Sequence, residues 1–327
     1  MGQFVDGVWK EDSYDPKVEG GRFVRVPSRF RNWVTTSGDP GPSGEGGFDA
    51  HPNRYPLYVA YGCPWAHRTL IFRTLKKLEH AISLSIVQPA MGERGWWFGD
   101  APGSIPDTVN GKSLLGEIYL LADPHYTGRV TVPVLWDKER RTIVNNESSE
   151  IIRMINSEFD DFTLAREDYY PKELRTEIDA VNDLVYANVN NGVYRAGFAL
   201  AQEAYEEAFK KLFAALDQLE ARLGKSRYLA GNRITEADWR LFVTLIRFDA
   251  VYHNLFSCNL RKIADYPNLS NYVRDLYQVP GVAETVNMDH IKRSYYRARP
   301  NLNPLGIIPL GPDQDFTKPH DRARFGT

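Results

Sequence analysis

The stretch Leu57-Tyr58-Val59-Ala60-Tyr61-Gly62-Cys63-Pro64-Trp65-Ala66 sets the reading of this chain. A short run of strand-forming residues ends at a glycine, and the cysteine after it opens a segment in which Ile71, Leu75 and Leu78 recur at helical spacing. Lys76 and Lys77 near the end of that segment suit the negative pole of a helix. Ala81 to Val87 then reads as a second strand, so the order is strand, helix, strand, the unit that builds a parallel sheet. Cys63 is thereby placed at a helix N-terminus, where unpaired N–H groups and the positive dipole end favour thiolate over thiol. A buried, inert cysteine is the plain alternative and in general the commoner one. The strand, Gly, Cys, Pro, helix setting argues against it here.

Working outward, residues 89–128 carry scattered Gly and Pro with Trp96 and Trp97, and read as an insertion. Thr131 to Trp136 and Thr142 to Val144 read as two strands joined through Asp137 to Arg141, and a helix starting near Asn146 closes the domain. The order βαβ followed by ββα is the thioredoxin arrangement. Upstream, SGDPGPSGEGG at 37–47 has no periodicity for a helix or strand and is expected to be a mobile loop; its glycines lack the G-x-G-x-x-G spacing of a phosphate cradle. Downstream of Pro171 the pattern turns helical, with Phe209, Leu212, Phe213, Leu216, Leu219 and Leu223 on one face and Gly224 as the stop. Thr235 and Asp238 form a capping pair, with Ile234 and Trp239 spaced as a hydrophobic staple. The Pro- and Gly-rich tail after Pro300 is expected to wrap the surface or be loosely held. The expected division is an N-terminal extension and flexible loop at 1–50, a thioredoxin-like domain at 51–165 and an all-helical domain with its tail at 166–327. The fold class is thus α/β plus all-α.

At 327 residues two domains are a better prior than one, and 43% hydrophobic with 25% charged residues is ordinary for a globular chain. Lys plus Arg number 40 against 42 Asp plus Glu, a balance with no general pull toward nucleic acid or anionic lipid. The first residues lack the basic and apolar regions of a secretory signal, and no apolar run approaches a membrane span, so a cytoplasmic location is expected. Two cysteines, Cys63 and Cys258, are too few for a disulfide framework; reduced thiols are expected, with Cys258 inert. The histidines form no H-E-x-x-H pattern and no G-x-S-x-G elbow is present, so neither a metal nor a hydrolase triad is expected. A disulfide oxidoreductase would carry a second cysteine three residues after Cys63, but Ala66 stands there. The resolving thiol must come from outside the chain.

Cys63-Pro64-Trp65-Ala66-His67-Arg68, Arg129 to Leu135, Asn146-Glu147-Ser148, Asn190 to Tyr194 and Asp289-His290-Ile291 together resemble the glutathione transferases with a cysteine nucleophile, and within them the glutathionyl-hydroquinone reductases, or Xi class. The resemblance covers almost the whole chain. C-P-W-A alone would also fit the Omega class, so the combination carries the specificity. The resemblance implies glutathione as cosubstrate, no metal, a glutathione-transferase helical domain and a homodimer. It implies that Val132, before the family's cis-proline position Pro133, pairs with the cysteinyl part of glutathione. It implies that Glu147 meets the γ-glutamyl ammonium and that Ser148, with the helix N-terminus, meets the carboxylate. From the residues alone, Ser148 as a mere helix cap and Glu147 as a solvated charge would be favoured. Trp96 and Arg129 resemble positions that hold glutathione by indole packing and a guanidinium contact; a core aromatic and a surface cation are the plain alternatives. Tyr194, Tyr252 and Tyr295 resemble the tyrosines of the acceptor pocket, although an isolated tyrosine in a helical domain is more often packing.

The function this implies is glutathione-dependent reduction of glutathionyl-hydroquinones through a Cys63–glutathione mixed disulfide, with Tyr194 and Tyr295 assisting. An Omega-like thioltransferase or dehydroascorbate reductase would use the same thiol. A non-enzymatic ligand-binding protein of the same fold is the alternative from another class.

Overall fold

The computed structural model describes residues 2–11, 20–298 and 301–326. Leu57–Val59 forms the strand before Cys63, here β3, after the short N-terminal hairpin of β1 (Gln3–Val5) and β2 (Val8–Lys10). Leu57, Tyr58 and Val59 are all fully buried, which explains an apolar run without alternation: the strand is covered on both faces. It pairs in parallel with β4 (Leu84–Ile86) and antiparallel with β5 (Val134–Asp137), which pairs antiparallel with β6 (Thr142–Asn145). The sheet order is β4-β3-β5-β6, the thioredoxin topology. α1 (Pro64–Leu75) and α3 (Ser148–Ser157) pack on each other, and α2 (Leu115–Ala122) packs against β6. A bidentate pair ties the sheet at one end: Arg54 Nε and Nη2 donate to the buried Asp137 carboxylate at 3.0 and 2.7 Å.

Several expectations shift. The second strand is shorter than 81–87 because the Ala81 and Ile82 N–H groups bond back to Leu78 O. The third begins at Val134, since the Thr131 backbone bonds to the Tyr119 hydroxyl instead of a neighbouring strand. The segment 89–128 is not insertion alone, for it contains α2. In the loop at 37–47 Gly47 N donates to Gly38 O, Glu45 N to Asn32 Oδ1 and Trp33 Nε1 to Ser43 Oγ. Gly38, Gly44 and Gly47 have φ of +79°, +76° and +96°, so the glycines supply the left-handed turns that let the loop close on itself.

The compact units of the structure are discontinuous along the chain. One compact unit contains 2–11, 26–167 and 284–298, the other 20–25, 168–283 and 301–326. Residues 30–32 belong with the sheet because Asn32 N bonds Val144 O and Asn146 N bonds Phe30 O. The last long helix, α10 (Met288–Arg297), belongs with the sheet as well: His290 Nε2 donates to Pro102 O at 2.7 Å and His67 Nε2 lies 2.8 Å from Thr285 Oγ1.

The second unit is helical. α4 (Arg175–Val185) runs through a π turn at Tyr186–Asn190 into α5 (Gly192–Gly197); α6 spans Gln202–Leu223 and ends at Gly224. α7 (Glu236–Arg247) runs through a second π turn, Phe248–Tyr252, into α8 (His253–Leu255), and α9 spans Pro267–Tyr277. At the start of α7 the buried Asp238 carboxylate accepts from Thr235 N, Thr235 Oγ1, Leu229 N and the Tyr272 hydroxyl. The tail is anchored through Arg322, which is fully buried and donates to the carbonyls of Leu223, Ser226 and Arg227 at the end of α6. Among the described residues no helix is long and apolar enough to cross a membrane.

Candidate active site

Cys63 caps the N-terminus of α1 in extended conformation, with Pro64 as the first helical residue. Its N–H bonds Ala60 O and its carbonyl receives His67 N, so the sulfur leaves the chain at a fixed point. Sγ lies 3.6 Å from Val132 O, and the Val132–Pro133 bond is cis. The helix start favours a thiolate at this position. Cys258 contrasts with it: it is fully buried, and burial pushes its thiol far above the ordinary range. His67 is fully buried, with Nε2 2.8 Å from Thr285 Oγ1.

The N-terminus of α3 forms the second part. Glu147, not Ser148, is the cap: Oε1 accepts from Ser149 N and Ser149 Oγ at 3.1 and 3.0 Å, and Oε2 from Ser28 Oγ at 3.1 Å. Burial by itself would push this carboxyl up, but Arg68 and the bonds from Ser149 and Ser28 hold it below the usual carboxylate range. Ser148 is buried at the first helical position, and Arg68 Nε and Nη2 both donate to its Oγ. Thus Ser148 is not a helix cap and Glu147 is not a solvated charge.

Trp96 is 6% exposed and packed in the sheet unit, while Trp97 is 40% exposed with its indole N–H on Ala90 O. Arg129 is half-buried, and its carbonyl accepts from the Tyr126 hydroxyl. Tyr295 lies on α10 in the same unit as Cys63, and its neighbour Ser294 sits directly against Gly62. Tyr295 and Tyr296 are both buried.

Tyr194 and Tyr252 come together in the helical unit, their ring centroids 6.1 Å apart. Phe23, Phe198 and Phe256 pack around Tyr194 at 6.3, 5.7 and 5.8 Å, and the Arg25 guanidinium lies 5.1 Å from its ring centre. Each of these two tyrosines is carried at or just after a π turn, a local widening of the helix that recurs at functional sites. Tyr252 is fully buried, as packing requires, whereas Tyr194 keeps 7% exposure.

Sequence reasoning assigned no role to Arg68, although the quoted motif contains it, and none to Tyr119. The Tyr119 hydroxyl donates to Thr131 O at 2.8 Å and accepts from Asn146 Nδ2 at 3.1 Å, joining the segment before Val132 to the one before Glu147. Helix α2 lacks a serine, threonine, aspartate or asparagine cap, so no local signal marked it.

A cysteine at the start of the first helix of a thioredoxin fold, joined in one chain to a helical unit, defines a thiol-dependent transferase of the glutathione S-transferase type. The N-terminal domain of glutathione S-transferases matches residues 62–158 and the C-terminal domain matches residues 202–275. The glutathionyl-hydroquinone reductase of Escherichia coli (strain K12) is 56% identical over 328 residues, 100% of both chains. That of Sphingobium chlorophenolicum is 54% identical over 96% of this chain and 97% of its own. A glutathione-bound structure of a glutathione transferase homologue from Escherichia coli K-12 superposes with a TM-score of 0.91 at 54% identity, covering 98% of this chain and 99% of that one. The chain belongs to the glutathione transferase family and, within it, to the glutathionyl-hydroquinone reductases of the Xi class.

Proposed function

We propose that this protein reduces glutathionyl-hydroquinones to hydroquinones with glutathione, through a mixed disulfide on Cys63. The observation that carries the reading is the Cys63 sulfur at the start of α1, 3.6 Å from Val132 O, in a chain of this family. The Cys63 thiolate attacks the glutathione sulfur of the substrate. The bond from sulfur to ring carbon breaks, its electron pair stays with the ring, and that carbon takes a proton through the keto form. Hydroquinone and Cys63–S–S–glutathione result. A second glutathione, as its thiolate, attacks the mixed disulfide; oxidised glutathione leaves and the Cys63 thiolate is restored. The enzyme is therefore an oxidoreductase that consumes glutathione and needs no metal.

Val132 is the backbone partner of the cysteinyl segment, Glu147 the acceptor for the ammonium and Ser148 the donor to the carboxylate, with Trp96 and Arg129 as further glutathione contacts. Tyr194, Tyr252 and Tyr295 take the acceptor role, and Tyr194 and Tyr295 assist proton delivery. A cytoplasmic homodimer completes the proposal. The test is mass spectrometry of the intact protein after exposure to glutathionyl-menadiol: one glutathione adduct on Cys63 is expected. Turnover without any adduct, or an adduct elsewhere, would overturn the reading, and faster turnover on dehydroascorbate or hydroxyethyl disulfide would move it to the Omega-like alternative.

A further inference from the structure

We propose that Arg68 fixes the direction of the Ser148 hydroxyl proton and so makes this site select for the α-carboxylate of the γ-glutamyl group; the inference rests on the glutathione reading of Glu147 and Ser148. Arg68 lies on α1, five residues after Cys63, and reaches the N-terminus of α3 with only 2% of its surface exposed. Nε and Nη2 donate to Ser148 Oγ at 3.0 and 2.5 Å, Nη2 is 3.7 Å from Glu147 Oε1, and the guanidinium carbon stands 5.0 Å from the Trp65 ring centre.

A serine hydroxyl has one proton and two lone pairs. Two guanidinium N–H groups fill its accepting capacity, so any bond it makes to a ligand is one in which it donates. Charged donors on the oxygen also polarise the O–H and strengthen that donation. A hydroxyl locked as a donor matches a carboxylate and cannot serve an ammonium. Glu147, which only accepts, supplies the opposite polarity one residue away.

Charge balance for Glu147 does not account for the arrangement, because an arginine placed for that purpose would put its fork on the carboxylate. Here both short bonds go to the neutral oxygen and the carboxylate is the more distant partner. Lysine cannot replace this fork, since its ammonium is a point donor on a flexible stem. Arg68 is thus a positioning residue that acts through Ser148.

The test compares wild type, Ser148→Ala, Arg68→Lys and the double variant in clearing the Cys63 mixed disulfide. Two thiols are used, glutathione and γ-aminobutyryl-cysteinylglycine, which lacks only that carboxylate. Each single substitution is expected to raise KM for glutathione about 10- to 100-fold, the scale of one charge-assisted hydrogen bond. It should leave kcat, KM for the analogue and iodoacetamide labelling of Cys63 nearly unchanged, and the double variant should be no worse than the worse single one. If Ser148→Ala leaves glutathione use intact, the carboxylate role of Ser148 fails and the inference with it. If Ser148→Ala is impaired but Arg68→Lys is silent, or its losses are equal on both thiols, or the losses multiply, only the Arg68 inference is overturned. Arg68→Gln, which keeps one amide donor, is carried in parallel; loss of folded protein in both Arg68 variants would make Arg68 structural and overturn the inference.

Discussion

Replacing Gly62 by alanine probes the packing that puts α10 against the Cys63 loop. A Cβ on Gly62 would stand 2.3 Å from Ser294 Cβ, 2.4 Å from Ser294 Oγ and 3.3 Å from His290 O, where ordinary contact is 3.4–4 Å. Gly62 has no positive φ, so the penalty is steric and not conformational. Ser294 Oγ can rotate away, but Ser294 Cβ is fixed to the helix backbone, so relief requires α10 to move by roughly an ångström. His290 opposes that movement through its bond to Pro102 O at 2.7 Å, and Asn287 Oδ1 holds the first turn through His290 N at 3.0 Å. Overpacking of this kind typically costs about 1–3 kcal/mol, which predicts a fall in Tm of roughly 2–10 °C. Because Tyr295 rides on α10, release of hydroquinone should also slow. Ser294→Gly removes both clashing atoms at a helix-propensity cost of about 0.5 kcal/mol, so the double variant should recover most of the stability, with a coupling of about 1–2 kcal/mol. Thermal melting of the four proteins and turnover on glutathionyl-menadiol decide the matter. A Gly62→Ala protein as stable as wild type, or additive losses in the double variant, would refute the described packing of α10.

Cys63→Ser should abolish deglutathionylation while leaving the melting curve in place, since Ala66 offers no local substitute thiol; retention of most turnover would end the covalent mechanism. Tyr194→Phe and Tyr295→Phe should each slow hydroquinone release, by up to the 100- to 10,000-fold typical of general acid help, yet spare the mixed disulfide of glutathione with mercaptoethanol, where no carbon is protonated; equal losses on both substrates would return these tyrosines to packing. Glu147→Gln should lower stability at neutral pH by about 1 kcal/mol, the worth of a helix cap. The Glu147 carboxyl is held below its ordinary range, so its contribution is complete above the unfolded value of about 4.3 and is lost as pH falls through the lower folded value. Chemical denaturation from pH 7 to pH 3 should show the gap between Glu147→Gln and wild type closing on the acid side, and a gap that stays constant or widens there would contradict the ion pair with Arg68.

What could be read from the residues alone follows the range of the interactions. The strand opened by Leu57, the helix opened by Pro64 and the stop at Gly224 depend on neighbours a few residues away and sit where the pattern puts them, although the strand ends at Val59, short of the turn at Tyr61-Gly62. The capping residues around Thr235 were legible for the same reason, although Thr235 contributes its hydroxyl as a donor and Asp238 does the accepting. Helix α2 is not legible, because Leu114 stands at the cap of Leu115–Ala122 and Glu117, which accepts from the Leu114 N–H, has no Ser or Thr three residues earlier to complete a capping-box signature. The loop at 37–47 has no periodicity to read, and the bonds that shape its turns, to one another and to Trp33 and Asn32, leave no pattern in the sequence.

The site divides by the same criterion. The proposed nucleophile is legible because a cysteine between a strand and a helix is electrostatically marked by the helix itself. The groups proposed to orient its cosubstrate are not legible this way, since Arg68 and Ser148 meet across a sequence separation of 80 and Gly62 meets Ser294 from the far end of the chain. Only the resemblance named Ser148, and nothing in the residues named its support. The consequence is physical. A thiolate at a helix start is reactive toward many disulfides and electrophiles, so Cys63 alone confers little selectivity. Selectivity has to come from donors and acceptors of fixed polarity, and fixed polarity demands buried partners brought together by the tertiary fold. Arg68 serves both sides of that requirement, because it springs from the same helix that opens at Cys63 and ends on the helix that opens at Ser148.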